Sequence, residues 1–392
     1  MSKSGRNILL DLRWGRIRGM QMSELKKGKS IFKKCMKILG ILLGALLAVV
    51  VIYLVYVLLR YYRIPDMQEL TVQNPQTVSE ENNERVLLDT EYEIITYNIG
   101  FGAYSPDYTF FMDGGKSSRA FSEDAVLANI TGAVLTMKEQ APDFILFQEV
   151  DFDSDRSYHV DERKMLLQHF AEYYETFAVN YDSPFLFYPF TEPHGSSKSG
   201  MAVYSRYEIT SALRRSLPVS EGFSKFLDLD RCYSINRIPV ENGKELVIFA
   251  VHLSAYGNSE QVREGQLAML REDMEKELQA GNYVICGGDF NHDLKADESV
   301  TKAESWAYPL SREKLGDGMI MALDLLAEDV RNAMADTARN NDIPYEPGVS
   351  YTVTVDGFII SENVEMLLYE TMDTGFAYSD HNPVRMCFRL KP

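Results

Sequence analysis

The chain of 392 residues is poor in cysteine: its four cysteines, Cys35, Cys232, Cys286 and Cys387, are widely scattered. No C-x-x-C or similar ligand spacing occurs, which argues against a disulfide framework and against a cysteine zinc site. Cys35 lies beside a long apolar segment, whereas Cys286 and Cys387 fall in strand-like apolar runs. We therefore predict buried thiols with no metal or disulfide role.

Basic side chains are scarce beyond the N-terminal region. The first 63 residues hold 13 Lys and Arg against 2 Asp and Glu, whereas the remaining residues hold 27 basic and 55 acidic side chains. So acidic a region repels a long polyanion, which argues against a general duplex-DNA-binding protein. The same charge suits a site that recruits divalent cations, and a hydrophobic content of 45% allows a sizeable core.

One uncharged apolar run, Ile38–Leu59, has 22 residues, enough for a helix to cross a hydrocarbon core of about 30 Å. Lysines are concentrated just before this run, so the positive-inside rule places the N-terminus in the cytoplasm. The sequence predicts a basic cytoplasmic tail over 1–37, a transmembrane anchor over 38–59, a linker over 60–91 and a globular domain over 92–392. We expect a single-pass protein of the cell membrane with this domain outside the cytoplasm. A cleaved signal peptide is the alternative, although the run is long for one and no small-x-small cleavage site follows it.

Strand-like and helical patterns alternate beyond residue 92, and no internal repeat interrupts them. The alternation predicts an α/β domain with one mixed sheet or two. The predicted helices are 120–139, 161–174, 259–279 and 321–335, and the predicted strands are 93–97, 144–147, 201–205, 246–253, 283–286, 353–360 and 384–390.

Polar side chains recur where the predicted strands end. They are Asn98 in ITYNIG, Glu149 in FILFQEVD, His252 in VIFAVHLS, Asp289 and Asn291 in CGGDFN, Asp356 in VTVDGFII, and Asp380 with His381 in YSDHNPV. Taken singly, each residue could have a purely structural role, such as a turn cap, a solvated strand end or a hydrogen-bonded histidine in the core. A purely structural role explains Asp356 less well, because a carboxylate among apolar residues is costly to bury without a partner. We interpret the whole set as a functional site.

These segments, in this order, resemble the motifs of the endonuclease/exonuclease/phosphatase superfamily, which includes DNase I-like nucleases, neutral sphingomyelinases and inositol-polyphosphate 5-phosphatases. The resemblance covers roughly residues 92–390. It implies a DNase I-like four-layer α/β/β/α sandwich, here preceded by one N-terminal transmembrane helix, with a catalytic site where two sheets meet. His252 matches the DNase I, sphingomyelinase and 5-phosphatase branches. Gly357 departs from the bulky residue common at that position, which predicts a wider pocket there.

The resemblance also implies a phosphoester hydrolase that depends on Mg²⁺ or Mn²⁺. A divalent cation offsets the charge that makes a phosphoester resist attack. Glu149 is the expected metal carboxylate, with Asn98 beside it and Asp380 contributing a further oxygen.

The remaining strand-end residues are expected to act on water and phosphate. Asp289 and Asn291 are expected to orient the attacking water and a phosphate oxygen. His381, held by Asp356, is expected to contact the phosphate or to move a proton. His252 is the expected partner on the leaving-group side, and the choice of general base between Asp289 and His381 stays open.

Arg156, Lys198 and His194 are candidate substrate-binding residues. A solvated charge run with Asp151 is the alternative for Arg156, and Arg231 is interpreted as a surface charge. The acidic domain favours a small phosphoester, a lipid head group or a short nucleic acid over duplex DNA. The membrane is the expected partner of the N-terminal helix, and no protein partner can be inferred. A DNase I-like endonuclease and a catalytically silent binding module that uses the same cleft are the alternative functions.

Two aromatic-rich segments, Tyr104–Phe111 and Phe185–Phe190, have two interpretations. They either contact lipid or pack in the core and loops, and we expect packing.

Overall fold

The structure is a computed structural model that describes residues 4–77, 85–219, 229–254, 260–296 and 306–392. The chain divides into two compact units, Met1–Tyr61 and Tyr62–Pro392. In the first unit, helix α1 runs from Ser4 to Arg60. Its segment Arg18–Arg60 is long and apolar enough to cross a membrane, and the predicted span at 38–59 lies within it. A signal sequence near an N-terminus meets the same criterion.

The second unit contains both strands and helices, as predicted for an α/β domain. In chain order they are β1 Gln68–Glu69, β2 Glu91–Asn98, α2 Glu123–Gln140, β3 Phe144–Asp151, α3 Glu162–His169, β4 Tyr174–Leu186, β5 Gly195–Ser205, β6 Ser211–Ser216, β7 Cys232–Pro239, β8 Glu245–His252, α4 Glu260–Gln279, β9 Tyr283–Asp289, β10 His292–Asp293, β11 Tyr308–Pro309, β12 Met319–Met321, α5 Glu328–Ala333, β13 Ala338–Arg339, β14 Thr352–Val353, β15 Asp356–Ser361, β16 Val364–Thr371 and β17 Val384–Leu390.

Two large mixed sheets form the centre of this unit. Among the described residues, one sheet has the strand order β16-β17-β2-β3-β5-β4 and the other β1-β6-β7-β8-β9-β15-β12. The pairs β2–β3 and β8–β9 are parallel, and each pair is joined through a helix, α2 or α4. Because parallel neighbours end at the same edge of a sheet, each crossover brings two strand ends together.

Side chains of β3 alternate between two cores, as a strand covered on both faces requires. Phe144 and Leu146 belong to the core between the sheets, whereas Ile145 and Phe147 join the core formed with α2 and α3. The apolar side of α4 is buried against the seven-stranded sheet. Gly287 allows the two sheets to approach, since a side chain there would overlap Leu146 and Phe358. The layers are therefore α/β/β/α, which confirms the predicted fold class.

The domain begins earlier in the chain than residue 92. Strand β1 pairs with β6, Arg63 Nη1 donates to Asp230 Oδ1 at 3.1 Å, and Asp66 accepts from Arg215. The described part of the predicted linker at 60–91 thus packs along a sheet edge instead of forming a free tether. Charged side chains of this segment pair with charged residues of the domain. The polar composition of the segment does not predict these pairs.

Two predicted helices differ from the structure. The segment predicted as one helix at 321–335 is instead the end of β12, a 3₁₀ turn and the six-residue α5. Backbone pairing of β12 with β15 overrides the helical pattern. The helix predicted at 161–174 ends at His169, because Tyr174 already begins β4. The predicted start of the next helix, residue 259, lies outside the described residues.

The predicted burial is confirmed for three thiols, Cys232, Cys286 and Cys387. It is wrong for Cys35 in α1, which is exposed.

Candidate active site

Three neighbouring strands of the seven-stranded sheet place polar side chains in one row. His252 at the end of β8 is in register with Asp289 of β9, and Asp289 is in register with Asp356 of β15. The six-stranded sheet contributes Asn98 at the end of β2 and Glu149 in β3. Asn98 Nδ2 donates to Asp289 Oδ2 at 3.1 Å, so the ends of the two sheets meet at this point.

Two residues of the site have a left-handed backbone that L side chains rarely adopt. Glu149 has φ of 55°, and the register between β3 and β5 shifts at this point, as in a β-bulge that redirects a side chain. Asn291 has φ of 51° in the turn after β9. Its amide N–H donates to Asp289 Oδ1 at 2.8 Å and its side chain to the Leu253 carbonyl at 3.0 Å. These bonds hold the turn and orient the carboxylate.

Asp289 is at the centre of the site. Its Oδ2 lies 3.4 Å from His252 Nε2 and 4.0 Å from His381 Nε2, in addition to the bond from Asn98. Burial, and then the neighbouring carboxylate of Asp356, raise the pKa of Asp289 to about 7. A carboxylate with that pKa can accept a proton near neutral pH.

His381 and Asp356 form a buried ion pair. His381 Nδ1 lies 2.7 Å from Asp356 Oδ2. Burial acts to lower the pKa of His381, but Asp356 opposes this and, with Asp380 and Asp289, raises it to about 10. The imidazole is therefore protonated at neutral pH, with Nδ1–H donating to Asp356 and Nε2 on the side of Asp289.

His252 lies in the same cluster but in the opposite protonation state. Its Nε2 is 3.4 Å from Asp289 Oδ2 and 3.8 Å from Glu149 Oε1. Burial, and then the positive charge of Arg231, lower its pKa well below the usual range. A neutral imidazole here can donate a hydrogen bond without adding charge.

Two groups of oxygen donors are candidates for a divalent cation. The first is Glu149 with Asp380, whose Oδ2 accepts from Asn341 Nδ2 at 2.8 Å. Burial raises the pKa of Glu149, Arg156 opposes this rise, and the like charge of Asp380 adds to it. A buried carboxylate with a raised pKa beside a second carboxylate is the donor chemistry that a hard cation stabilises.

The second group is Asp289, Asp356 and His381, whose ligand atoms lie within 4.8 Å of one another. A protonated imidazole has no lone pair for a metal, and His381 already contacts Asp356. The Glu149–Asp380 group therefore fits a cation better. Asn98 lies beside it, but its Oδ1 accepts from the Gly100 amide at 3.0 Å and its Nδ2 binds Asp289.

Arg156 is buried beside the site and does not belong to a solvated charge run. Its guanidinium donates to both oxygens of the buried Asp151, at 2.9 and 2.8 Å, and lies over the Phe101 ring at 3.8 Å. Ser157 Oγ also donates to Asp151 at 2.9 Å. The arginine is fixed in place, and its charge acts on Glu149.

The other two candidate substrate-binding residues have different surroundings. Lys198 is partly exposed, and its Nζ pairs with Asp153 at 3.0 Å. His194 is buried with Nδ1 2.8 Å from the Ser118 carbonyl, and burial lowers its pKa to about 4. His194 is therefore neutral, and no described contact joins either side chain to the Asp289 cluster.

Arg231 lies beside the site, although its sequence context predicts a surface charge. It is buried just before β7, and its charge acts on Glu149 and Asp289. Burial lowers its pKa, and its Nε has no hydrogen-bond partner among the described residues. The sequence LDLDRCY contains no signal for this position, because the acidic neighbours of Arg231 suggest a solvated loop.

Gly357 does not widen the pocket. A Cβ at this position would lie 2.6 Å from Tyr369 Oη and 2.9 Å from Leu294 Cδ1. The space is therefore filled by Tyr369, whose buried hydroxyl has no hydrogen-bond partner among the described residues. Tyr369 of β16 thus occupies the space that a bulky side chain at position 357 of β15 would fill.

Comparison with known proteins identifies the fold and the family. A family model described as the endonuclease/exonuclease/phosphatase family matches residues 95–314. No curated protein matches the chain.

Three solved structures are similar to this chain. An endonuclease/exonuclease/phosphatase from Beutenbergia cavernae has 15% identity and a TM-score of 0.52, covering 77% of this chain and 72% of its own. A humanized D. rerio TDP2 has 15% identity and a TM-score of 0.51, covering 76% and 99%. The human Nocturnin catalytic domain with bound sulfate anion has 19% identity and a TM-score of 0.50, covering 77% and 95%. At these identities the likeness establishes the fold.

Proposed function

Because the chain belongs to the endonuclease/exonuclease/phosphatase family, we propose that it is a Mg²⁺-dependent phosphoester hydrolase held in a membrane by α1. Members of the family generally hydrolyse phosphoesters and typically depend on divalent metals. The main support for the proposal is the set of contacts made by Asp289. Asp289 Oδ2 lies 3.1 to 4.0 Å from nitrogens of Asn98, His252 and His381, beside the carboxylates of Glu149 and Asp380.

The proposed roles follow from the charges of these groups. Asp289, with a pKa of about 7, accepts a proton from the attacking water. His381, kept cationic by Asp356, donates a hydrogen bond to a phosphoryl oxygen. Neutral His252 donates a hydrogen bond to the oxygen of the leaving group.

Glu149 and Asp380 would hold Mg²⁺, with Asn98 orienting Asp289 beside them. A bound divalent cation offsets the negative charge that develops on the phosphoryl oxygens. Mn²⁺ has similar oxygen preferences and is expected to substitute for it. Arg231 and Arg156 provide the positive charge that recruits the anionic substrate.

The membrane assignment is supported by α1 and by the charge distribution. The apolar segment is flanked by basic residues mainly on its N-terminal side, so the domain is proposed to lie outside the cytoplasm. A mature N-terminus near residue 65 in the isolated protein would replace the anchor with a cleaved signal sequence.

The full chain in detergent micelles tests the catalytic proposal with bis(p-nitrophenyl) phosphate and p-nitrophenyl phosphate. We expect turnover with Mg²⁺, loss of turnover with EDTA, and a decrease of about 100-fold or more in Asp289→Asn. Asp153→Asn is the matched control, because Asp153 is an exposed carboxylate in a histidine contact. Turnover that survives both EDTA and Asp289→Asn would refute the mechanism.

A substrate panel then separates the remaining functions. DNA, RNA, inositol phosphates and phospholipids are compared at two salt concentrations. Nucleic-acid binding falls steeply with salt because phosphate contacts release counterions, whereas turnover of a small ester changes little. No turnover of any phosphoester, with retained ligand binding, would identify a silent binding module.

A further inference from the structure

The hairpin that joins β4 and β5 carries three exposed aromatic rings at its tip. Phe187, Tyr188 and Phe190 have 53%, 62% and 77% of their surface exposed. Met112, in a neighbouring loop, is also exposed. We call these four residues the aromatic tip. Apolar surface grouped in this way is unfavourable in water and marks a contact surface.

The aromatic tip adjoins the catalytic cleft. The Tyr188 ring lies 5.8 Å from the Phe111 ring. The neighbouring Phe110 donates its backbone N–H to the Asn341 carbonyl at 2.8 Å, and the Asn341 side chain donates to Asp380 at 2.8 Å. A short series of contacts thus connects the tip to a candidate metal ligand.

The start of the domain lies at the same edge of the sandwich. Arg63 Nη1 donates to the Leu229 carbonyl at 3.0 Å and to Asp230 Oδ1 at 3.1 Å, and Asp230 precedes the site residue Arg231. The end of α1 at Arg60 is three residues before Arg63, a length that spans at most about 10 Å.

Strands β6 and β4 bring this attachment point close to the hairpin. Arg214 of β6 donates through Nε to the Val179 carbonyl of β4 at 2.8 Å, and through Nη2 to the Asp230 carbonyl at 2.8 Å. From Val179, β4 runs on to Leu186, where the hairpin tip begins. The attachment point and the aromatic tip therefore lie along one edge of the domain.

We propose that the aromatic tip docks on a lipid surface, and that the substrate is a phosphoester carried by a lipid in that surface. This inference rests on the proposed hydrolase function for its substrate. Arg63 follows Arg60 by only three residues, so the chain tethers the domain to the bilayer. The rings of the tip then enter the interface. The cleft then faces head groups of the same leaflet.

The net negative charge of the domain favours a zwitterionic lipid surface over an anionic one. Residues after 63 hold 27 basic and 55 acidic side chains, so an anionic membrane repels the domain. Aromatic contact with zwitterionic lipid carries no such repulsion. We therefore expect docking on phosphatidylcholine bilayers and weaker docking when phosphatidylserine is added.

Docking is tested without any need for turnover. Full-length Tyr188→Trp is reconstituted in phosphatidylcholine vesicles that contain brominated lipid, and its fluorescence is compared with that of Leu135→Trp. Leu135 is the matched control, since it is 53% exposed and lies near the end of α2 that leads into the start of β3, away from the cleft. We expect bromine to quench the tryptophan at 188 and not the one at 135. Equal quenching of the two variants overturns the docking proposal.

The substrate class is tested with a triple variant, Phe187→Ser/Tyr188→Ser/Phe190→Ser, in the same vesicles. We expect unchanged turnover of bis(p-nitrophenyl) phosphate and a loss of about 10-fold or more in hydrolysis of vesicle-borne sphingomyelin or phosphatidylcholine. A 10-fold loss corresponds to about 1.4 kcal/mol, less than the burial of one aromatic ring. Leu135→Ser is the control for both substrates.

The outcomes separate this inference from the proposed function. A wild-type protein that hydrolyses the soluble diester but no vesicle-borne lipid refutes the substrate class alone. Equal lipid turnover in the triple variant and the wild type refutes the role of the tip. No turnover of either substrate by the wild type refutes the hydrolase proposal, while the quenching experiment still decides docking.

Discussion

Replacing Asp356 by asparagine is expected to turn His381 from a permanent cation into a group that titrates near neutral pH. Asparagine has the shape of aspartate, and its carbonyl can still accept from His381 Nδ1, now 2.7 Å from Asp356 Oδ2. The amide nitrogen then takes the position of Asp356 Oδ1, which has no hydrogen-bond partner among the described residues. The substitution therefore removes a charge with little change in packing.

The size of the effect follows from the pKa of His381. At a pKa of about 10 the imidazole is more than about 99% protonated at pH 8. If Asp356→Asn returns the pKa to about 6.5, about 3% stays protonated at pH 8 and about three quarters at pH 6. We expect kcat/KM to fall about 30-fold relative to the wild type at pH 8 and less than about twofold from this cause at pH 6.

Stability gives an independent measure of the same ion pair. The pKa of His381 is higher in the folded protein than in the unfolded chain, so its stabilisation is fully present below pH of about 6.5. That stabilisation is lost as the pH rises through about 10. The difference in unfolding free energy between wild type and Asp356→Asn is therefore expected to be largest at pH 6 and to shrink toward pH 10.

The assays are pH profiles of kcat/KM for a soluble diester and denaturant unfolding at several pH values. Asp153→Asn is the control, since Asp153 Oδ1 lies 2.9 Å from the Nδ1 of exposed His159, and we expect no change in the profile. A ratio of wild-type to variant activity that stays constant from pH 6 to pH 8 would show that His381 does not act as a cation. An unchanged pKa of His381 by NMR in Asp356→Asn would refute the electrostatic argument itself.

Three further predictions concern the cation, a missed arginine and Gly357. Because burial raises the pKa of Glu149, a proposed cation ligand, its ionisation destabilises the metal-free fold as pH rises above about 4. Mg²⁺ should therefore raise Tm more at pH 8 than at pH 5 in thermal unfolding, and equal shifts would contradict this. Arg231→Gln should raise KM about 10-fold or more at constant Mg²⁺, as measured by steady-state kinetics, whereas Arg237→Gln, a partly exposed control, should not. Gly357→Ala should lower the unfolding free energy by about 1–3 kcal/mol through overlap with Tyr369 Oη, and Tyr369→Phe in the same chain should recover part of that loss in denaturant unfolding.

The sequence predicted the fold well because its motifs lie at strand ends of a regular architecture. The row formed by His252, Asp289 and Asp356 depends only on neighbouring strands that stay in register. Hydrophobic patterns locate such strands, and the family resemblance supplies their order. The patterns alone predict an α/β domain. The α/β/β/α layers were implied by the family resemblance.

The predictions were poorer where tertiary contacts decide the structure. The helix predicted at 321–335 does not form as one helix, because its first residue belongs to β12, which pairs with β15. Residues 62–69 pack against β6 through the short strand β1 and single charge pairs that no periodicity reveals. Arg231 and Arg156 resemble surface charges in sequence, because burial of an arginine is set by residues distant in the chain.

The charges of the site favour the binding of both a cation and an anionic substrate. Asp356 raises the pKa of Asp289, and Asp380 raises the pKa of Glu149. Asp356, Asp380 and Asp289 together raise the pKa of His381. Buried charges of one sign are unfavourable unless partners offset them. Protonated His381 offsets one carboxylate, and a cation at Glu149 and Asp380 would offset more of the remaining negative charge. The arginines beside Glu149 can then attract a phosphate, so recruitment of the substrate is expected to depend on prior occupation by the cation.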